Sequence, residues 1–369
     1  WPIYISLQKD GILFKMRRTQ DLPDKESATM FFQDCKLAHQ AQITGISHSV
    51  KEILPPDLLD LTQLQKEANI RYGFTASEVY DIAQSLYEKK LISYPRTSSR
   101  YLTEDVLDSL PPIMARLLSW ELFPAAKGTG GIDISNLSRH VISAEKANVH
   151  HAIIITGIRP GNLSEKEMQV YRLVAGRMLE TFMAPCRIET TNVEAVCAAQ
   201  HFKVEQTRII EAGWHDVFMR SDMVPKSGYS VNELPEVEKS DTLNVCGCNM
   251  VHKKQLPVNP FTDAELVEYM EQNGLGTVSS RTNIIRTLVN RKYIRYSGKY
   301  IVPTPKGMFT YETIRGKKIA DTSLTADWEK QLTGLESGMI TGQDFLNRIR
   351  TLAKEMTDDI FNTYSTKEE

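Results

Sequence analysis

A tyrosine precedes an arginine by two positions, with a proline between them, in the run Leu91-Ile92-Ser93-Tyr94-Pro95-Arg96-Thr97-Ser98-Ser99. Proline biases the residue before it away from the helical region, which predicts an extended Tyr94. Alternate residues of an extended chain share a face, so Tyr94 and Arg96 are expected to point to one side. A phenol beside a guanidinium fork suits attack on a phosphodiester. The fork grips the phosphate bidentately and offsets the charge that builds during attack. Taken alone, the same residues more readily describe a packed aromatic at a turn beside a surface charge.

Two further groups of residues have chemical potential. His150-His151-Ala152-Ile153-Ile154 offers an imidazole that could donate to a phosphate or move a proton. Its distance from Tyr94 along the chain leaves open whether they meet. Between Glu271 and Glu312 there is no acidic residue, while Arg281, Arg286, Arg291, Lys292, Arg295, Lys299 and Lys306 all fall there. Tyr293, Tyr296 and Tyr300 are interleaved with them. Such a patch neutralises phosphates and offers rings for unstacked bases. A solvated helix face is the plainer reading, but solvated faces normally mix signs.

The elements that must position these groups are legible in outline. Ile3, Ile5 and Leu7 alternate up to Asp10-Gly11, and Ile12 to Met16 follow, which predicts a hairpin. Ile43 to Leu54 reads as a strand ending at Pro55-Pro56. Leu61, Leu64 and Ala68 suit a helix. Thr75-Ala76-Ser77-Glu78 is a capping box, followed by Val79, Ile82, Ala83, Leu86 and Tyr87 at helical spacing. Residues 101–184 read as mostly helical, with a Gly-rich loop at Lys127 to Gly131. Alternation returns from Arg187 to Phe218, and Val224 to Leu256 reads as turns and short strands, bounded by Pro257 and Pro260. A second capping box, Thr262 to Glu265, opens a helix reaching about Gln272. Asn273 to Gly276 make a tight turn. Ser279 or Ser280 is expected to cap the next helix, whose apolar face is Ile284, Ile285, Leu288 and Val289. Tyr293 to Val302 then fold back around Ser297-Gly298. Helix, glycine turn, helix and hairpin make a winged-helix outline.

Composition sets bounds. The 369 residues suggest two or three domains, and the formal net charge of −2 requires any nucleic-acid contact to come from a local patch. Five scattered cysteines give no disulfide framework and fit a reducing cytoplasm. Cys246-Gly247-Cys248 with His252 is too few ligands for a zinc site. No apolar run approaches the ~18 residues of a membrane span, and no signal peptide is visible.

Together these stretches resemble type IA DNA topoisomerases, most closely the bacterial topoisomerase III branch. The resemblance rests on Leu58 to Phe74, Ala83 to Glu88 with Ile92 to Thr97, His150 to Ile153, Gly274 to Thr277 with Ser280-Arg281, Pro303 to Gly307, and Thr325 to Glu329, in that order. It implies a multidomain α+β fold. A β-rich arch (1–55 and 185–258) would carry an inserted helical tyrosine domain (56–184) and a C-terminal, winged-helix-like, single-strand DNA-binding domain (259–369). It implies that Tyr94 forms a 5′-phosphotyrosine, that Arg96 positions the scissile phosphate and that His150 assists. His151, Ser280, Arg281, Arg286 and Lys306 would contact single-stranded DNA. It also implies a magnesium ion (Mg2+), no ATP, a helicase as a candidate partner, a monomer, and a cytoplasmic, nucleoid-associated location. Hinge motion is expected near Pro55 and Ala184.

The chain departs from the family pattern in places. Ser98 stands where an Asp is usual, Ile155 replaces a proline before Thr156, and Val278 replaces a proline after Gly276-Thr277. The family's Asp-x-Asp-x-Glu cluster does not occur, so ligands for a hard cation cannot be named. The expectation is a fragment that begins near the family's second domain, binds DNA, and does not complete cleavage and resealing alone. No cysteine-rich zinc module follows the last helix. The sequence also admits two other readings. A non-enzymatic winged-helix regulator explains residues 262–302 but leaves Tyr94 idle. A tyrosine recombinase needs several catalytic arginines around a helical tyrosine, which Pro95 argues against.

Overall fold

In a computed structural model, residues 1–120, 122–123, 141–147, 150–218, 227–252 and 259–365 are described. The chain divides into two compact units. One comprises Trp1–Pro56, Phe123–Leu137 and Leu179–Val258, and the other Asp57–Leu122, Ser138–Met178 and Asn259–Glu369.

The first unit is built on the expected hairpin. Strands β1 (Ile3–Lys9) and β2 (Ile12–Arg18) pair antiparallel around Asp10 and Gly11, both at positive φ, the backbone of a type I′ turn. Helix α1 (Lys25–Leu37) follows, for which the sequence pattern gave no reading. Asp24 caps it by accepting from Ser27 N at 2.7 Å. The long strand β3 (Gln40–Ile53) pairs with β4 (Cys186–Cys197) and with β7 (Thr242–Met250). Strand β5 (Gln200–Glu211) and the short β6 (Ser230–Val231) complete a seven-stranded sheet of order β2-β1-β7-β3-β4-β5-β6. A further β2–β5 pairing, Arg17 opposite Lys203, curls the sheet on itself like a barrel. Its core is the inward half of the alternation: Ile3, Ile5, Leu7, Phe14, Met16, Val193, Phe202 and Val204.

The second unit is helical. Helix α2 (Leu61–Tyr72) is capped by Asp60, which accepts from Gln63 N at 2.7 Å, and closes at left-handed Gly73. Helix α3 (Ala76–Glu88) starts at the predicted Thr75–Glu78 capping box, with both reciprocal bonds present. Short helices α4 (Glu104–Leu107), α5 (Leu110–Ser119) and α6 (Ala144–Ala147) and the longer α7 (Glu165–Phe182) follow. The stretch 150–164 corrects the mostly helical reading of 101–184, because its residues pair with Leu59 and Ile92 as isolated bridges instead. The Gly-rich loop at Lys127 to Gly131 lies outside the described residues, as do Val224, Leu256 and Pro257.

The later helices belong to this unit too. Helices α8 (Asp263–Gln272) and α9 (Arg281–Asn290) flank the turn at Gly274 and Gly276, both at positive φ. Strands β8 (Ile294–Ser297) and β9 (Tyr300–Pro303) form the expected hairpin. Helices α10 (Pro305–Ile314), α11 (Thr322–Glu336) and α12 (Gly342–Ser365) finish the chain. Two details differ from the sequence reading. Ser280 sits at the N-cap but makes no cap bond, because its hydroxyl closes the preceding turn with Thr277. Ile284 is exposed, and Ile285 carries the buried contact of α9. No helix among the described residues is long and apolar enough to cross a membrane.

Candidate active site and nucleic-acid interface

Helix α3 ends as Lys90 adopts φ 58°, which turns the chain out of the helix. Leu91 and Ile92 then anchor it, 4% and 1% exposed. The helix is pinned from outside by Glu167, which accepts from Lys89 Nζ at 2.5 Å and Ser85 Oγ at 2.7 Å. The Lys89 ammonium, the Ser164 N–H and the Ser85 hydroxyl hold this carboxyl down to about 2.

The segment from 91 to 102 is laced to 150–156. Ser93 N–H donates to Ile154 O at 2.8 Å, Ser93 Oγ–H to Ala152 O at 3.1 Å, and Thr97 Oγ1–H to His150 O at 2.9 Å. Ile155, where the resemblance led to the expectation of a proline, is fully buried. Its N–H meets Met178 Sδ at 3.1 Å, while the bonds between the two segments are made by its neighbours Ile154 and Thr156. A proline here would forfeit only the sulfur contact. Ser98 is exposed.

This lacing brings His150 to Tyr94. Their ring centroids are 4.5 Å apart at 47°, with Tyr94 half-buried and His150 exposed. Tyr87 meets the same phenol edge-on, at 5.4 Å and 79°. His151 turns aside, its Nδ1 2.7 Å from Ala152 O.

Arg96, like Tyr94, meets side chains of α3. Its Nη2 donates to Gln84 Oε1 at 3.2 Å and its guanidinium lies 5.0 Å from the centre of the Tyr80 ring. Its buried Nε has no hydrogen-bond partner. Gln84 is itself oriented by donating to Glu88 Oε1 at 2.8 Å. Tyr80, Gln84 and Tyr87 therefore frame the constellation from α3. The resemblance drew Gln84 and Tyr87 into the matched stretch Ala83 to Glu88 without giving either a role, and it did not include Tyr80. Their i, i+4, i+7 spacing was the available signal.

The basic stretch divides into cations held by carboxylates and cations left exposed. Arg281 is 8% exposed and donates from Nη1 to Glu271 Oε1 at 3.3 Å. Arg286 donates from Nε to Ser77 Oγ at 2.8 Å and from Nη2 to Asp81 Oδ2 at 2.8 Å, both on α3. Lys306 is exposed, donates to Arg291 O at 2.9 Å, and lies 4.6 Å from the Tyr293 ring centre. Arg291, Lys292, Arg295 and Lys299 are exposed.

The same helices also lock onto α2 and α3. Asp263, 2% exposed, accepts from Ala76 N at the start of α3 and from Tyr296 Oη at 3.2 Å. Burial pushes its carboxyl above the usual range, against the pull of those two donors. Gln65 Nε2 donates to Thr282 Oγ1 at 2.9 Å, and Lys66 pairs with Glu268 at 2.8 Å. Ala76 packs with Val267, Met270, Ile285 and Ile301 beneath them.

A family model described as DNA topoisomerase matches residues 1–347. The chain is 31% identical over 344 residues to DNA topoisomerase 3 of Bacillus licheniformis, covering 87% of this chain and 47% of that protein. It is 30% identical over 355 residues to DNA topoisomerase 3 of Bacillus subtilis, covering 89% and 48%. The chain thus spans about half the length of the curated relatives it matches. In fold it resembles full-length topoisomerase I from Thermotoga maritima, with TM-score 0.72 and 23% identity over 96% of this chain and 59% of that one.

Proposed function

The chain belongs to the DNA topoisomerase family, in its type IA branch, and from that premise we propose that Tyr94 cleaves and reseals single-stranded DNA through a phosphotyrosine ester. The observation that carries this reading is the Tyr94 phenol held between Tyr87 and His150, with a guanidinium supported nearby by Gln84 and Tyr80. The phenolic oxygen attacks phosphorus, the Tyr94 O–P bond forms, and the 3′ oxygen of the neighbouring nucleotide leaves as a hydroxyl. Reversal restores the phosphodiester. The ester retains the energy of the broken bond, so no nucleotide is consumed.

Arg96 has no carboxylate partner among the described residues, so taking the scissile phosphate would break no ion pair, only the bond to Gln84. His150, exposed and against the phenol, is suited to donate to that phosphate or to take the phenolic proton. The single strand would run over the exposed cations and tyrosines of residues 291–306, with His151 and Ser280 adding polar contacts. Arg281 and Arg286 would exchange Glu271 and Asp81 for phosphate. This reading treats α8, α9 and the β8–β9 hairpin as a winged-helix-like reader within a 259–369 DNA-binding part. Residues 1–55 with 185–258 act as the arch and 56–184 as the tyrosine-bearing part. Among the described residues no group of three or more His, Cys, Asp or Glu side chains is arranged for the magnesium ion that the family implies.

The test is covalent trapping. A chain extended to the length of its relatives is incubated with single-stranded DNA and magnesium, then quenched with detergent. The unaltered sequence is expected to give a protein–DNA adduct and Tyr94→Phe none. An adduct that survives the substitution refutes the assignment. A non-enzymatic regulator would give no adduct with either chain.

A further inference from the structure

Three of the free cysteines meet inside the β-rich unit. Cys35 comes from α1, Cys197 from the end of β4 and Cys248 from β7, and all three pack into or against one core. Cys35 and Cys197 are buried, at 0% and 1% exposed, whereas Cys248 is partly exposed. The Cys35 thiol faces both of the others closely enough for their ionisations to interact. Cys248 Sγ also lies 3.9 Å from Phe32 O, one turn before Cys35 on α1, which places it beneath the same helix face. Among the described residues no group of three or more His, Cys, Asp or Glu side chains could hold a metal ion.

The three thiols differ in character. The Cys35 thiol pulls Cys248 below the usual thiol value, outweighing burial. The Cys197 thiol pulls Cys35 down, but the Cys248 thiol and burial prevail and push it up to about 11. The Cys35 thiol and burial push Cys197 far up. The most acidic thiol of the cluster is therefore also the one that solvent reaches, the pairing of properties that marks an oxidant-sensitive cysteine.

We propose that Cys248 and Cys35 form a reversible, peroxide-driven disulfide that staples α1 to β7. The Cys248 thiolate attacks one oxygen of hydrogen peroxide: an S–O bond forms, the O–O bond breaks and hydroxide leaves. The sulfur of Cys35 then attacks the sulfenic sulfur: the S–S bond forms, the S–O bond breaks, and the departing hydroxide takes the Cys35 proton as water. In sum, two thiols are oxidised while one peroxide is reduced to two waters. A dithiol reductant reverses the link by exchange. This site is independent of the DNA reaction proposed above.

The reduced full chain is treated with equimolar hydrogen peroxide, its remaining thiols are blocked with maleimide, and it is mapped by mass spectrometry without reduction. The expected product is a Cys35–Cys248 linked peptide lighter by two hydrogens, with two fewer thiols labelled. Cys248→Ser abolishes the link, and Cys246→Ser, at the exposed neighbour, preserves it. Dithiothreitol restores both labels. The same treatment in concentrated urea gives no preference for this pair. The proposal is overturned if the native wild-type chain yields no such peptide, if the link joins Cys246 instead, or if the urea-treated chain forms it equally well.

Discussion

The rings of Tyr94 and His150 lie 4.5 Å apart, centroid to centroid, and are inclined at 47°. Neither residue reaches the other through its own secondary structure. Hydrogen bonds from Ser93 to Ile154 and from Thr97 to His150 O set the approach. If His150 acts chemically, removing its nitrogens costs rate even when ring packing is kept. His150→Ala and His150→Phe are both expected to slow single-turnover cleavage by about 100-fold or more, a usual magnitude for general acid–base help. Recovery by the Phe variant alone would reduce His150 to a packing residue.

Arg96 shows what a lysine cannot imitate. Its fork reaches Gln84 and its plane lies over Tyr80. A lysine keeps the charge but loses the bidentate geometry and the stacking. Arg96→Lys is therefore expected to lower the cleavage rate by roughly 100- to 1,000-fold, as loss of a positioned donor does. Single-strand affinity should change little. Rapid-quench cleavage beside equilibrium binding separates the two effects, and a wild-type rate in the Lys variant would remove Arg96 from the mechanism.

Salt dependence distinguishes the two kinds of cation. Arg295 and Lys299 are exposed, whereas Arg281 and Arg286 have carboxylates to leave. Each of Arg295→Ala and Lys299→Ala is expected to reduce the slope of log K against log salt by about 0.7, the value for one contact to a single strand. Arg281→Ala and Arg286→Ala are expected to move the slope less and the melting temperature more. Fluorescence anisotropy with an oligothymidylate across a salt series measures the slopes. Identical slopes throughout would count against the hairpin as a DNA contact.

Asp263 should give the fold a pH dependence opposite to that of most carboxylates. Burial raises its pKa in the folded chain above the unfolded value. The folded state then binds more protons between the two values, so stability falls as pH rises through that window. Asp263→Asn keeps an acceptor for the Ala76 N–H and removes the titration. Its stability relative to the unaltered chain is expected to improve between pH 4 and pH 7, read from urea midpoints. A difference that is flat with pH would mean that Asp263 ionises in the fold as it does in water.

The local elements were readable because their causes are local. The Asp10-Gly11 turn, both capping boxes, the start and stop of α8, and the β8–β9 hairpin each follow from side chains within a few residues of one another. Helix α1 is hard to read from sequence because only Ala28 and Cys35 on it are fully buried, with Phe31 and Phe32 packed at the core's edge. Residues 150–164 misled for the opposite reason. Their apolar run is as compatible with a helix as with a strand, and the tie was broken by pairing to Leu59 and Ile92, far away in the chain.

By itself the sequence determined which chemistry was on offer: a phenol next to a proline, a guanidinium, two imidazoles and an acid-free basic stretch. Only the tertiary structure decided which of these groups meet. It set His150 against Tyr94, turned Arg96 onto Tyr80 and Gln84, occupied Arg281 and Arg286 with carboxylates, and gathered three cysteines that lie far apart in the chain. Periodicity and capping are written into neighbouring residues. Side-chain company is set by which distant backbones exchange hydrogen bonds, and one chain read alone does not state that.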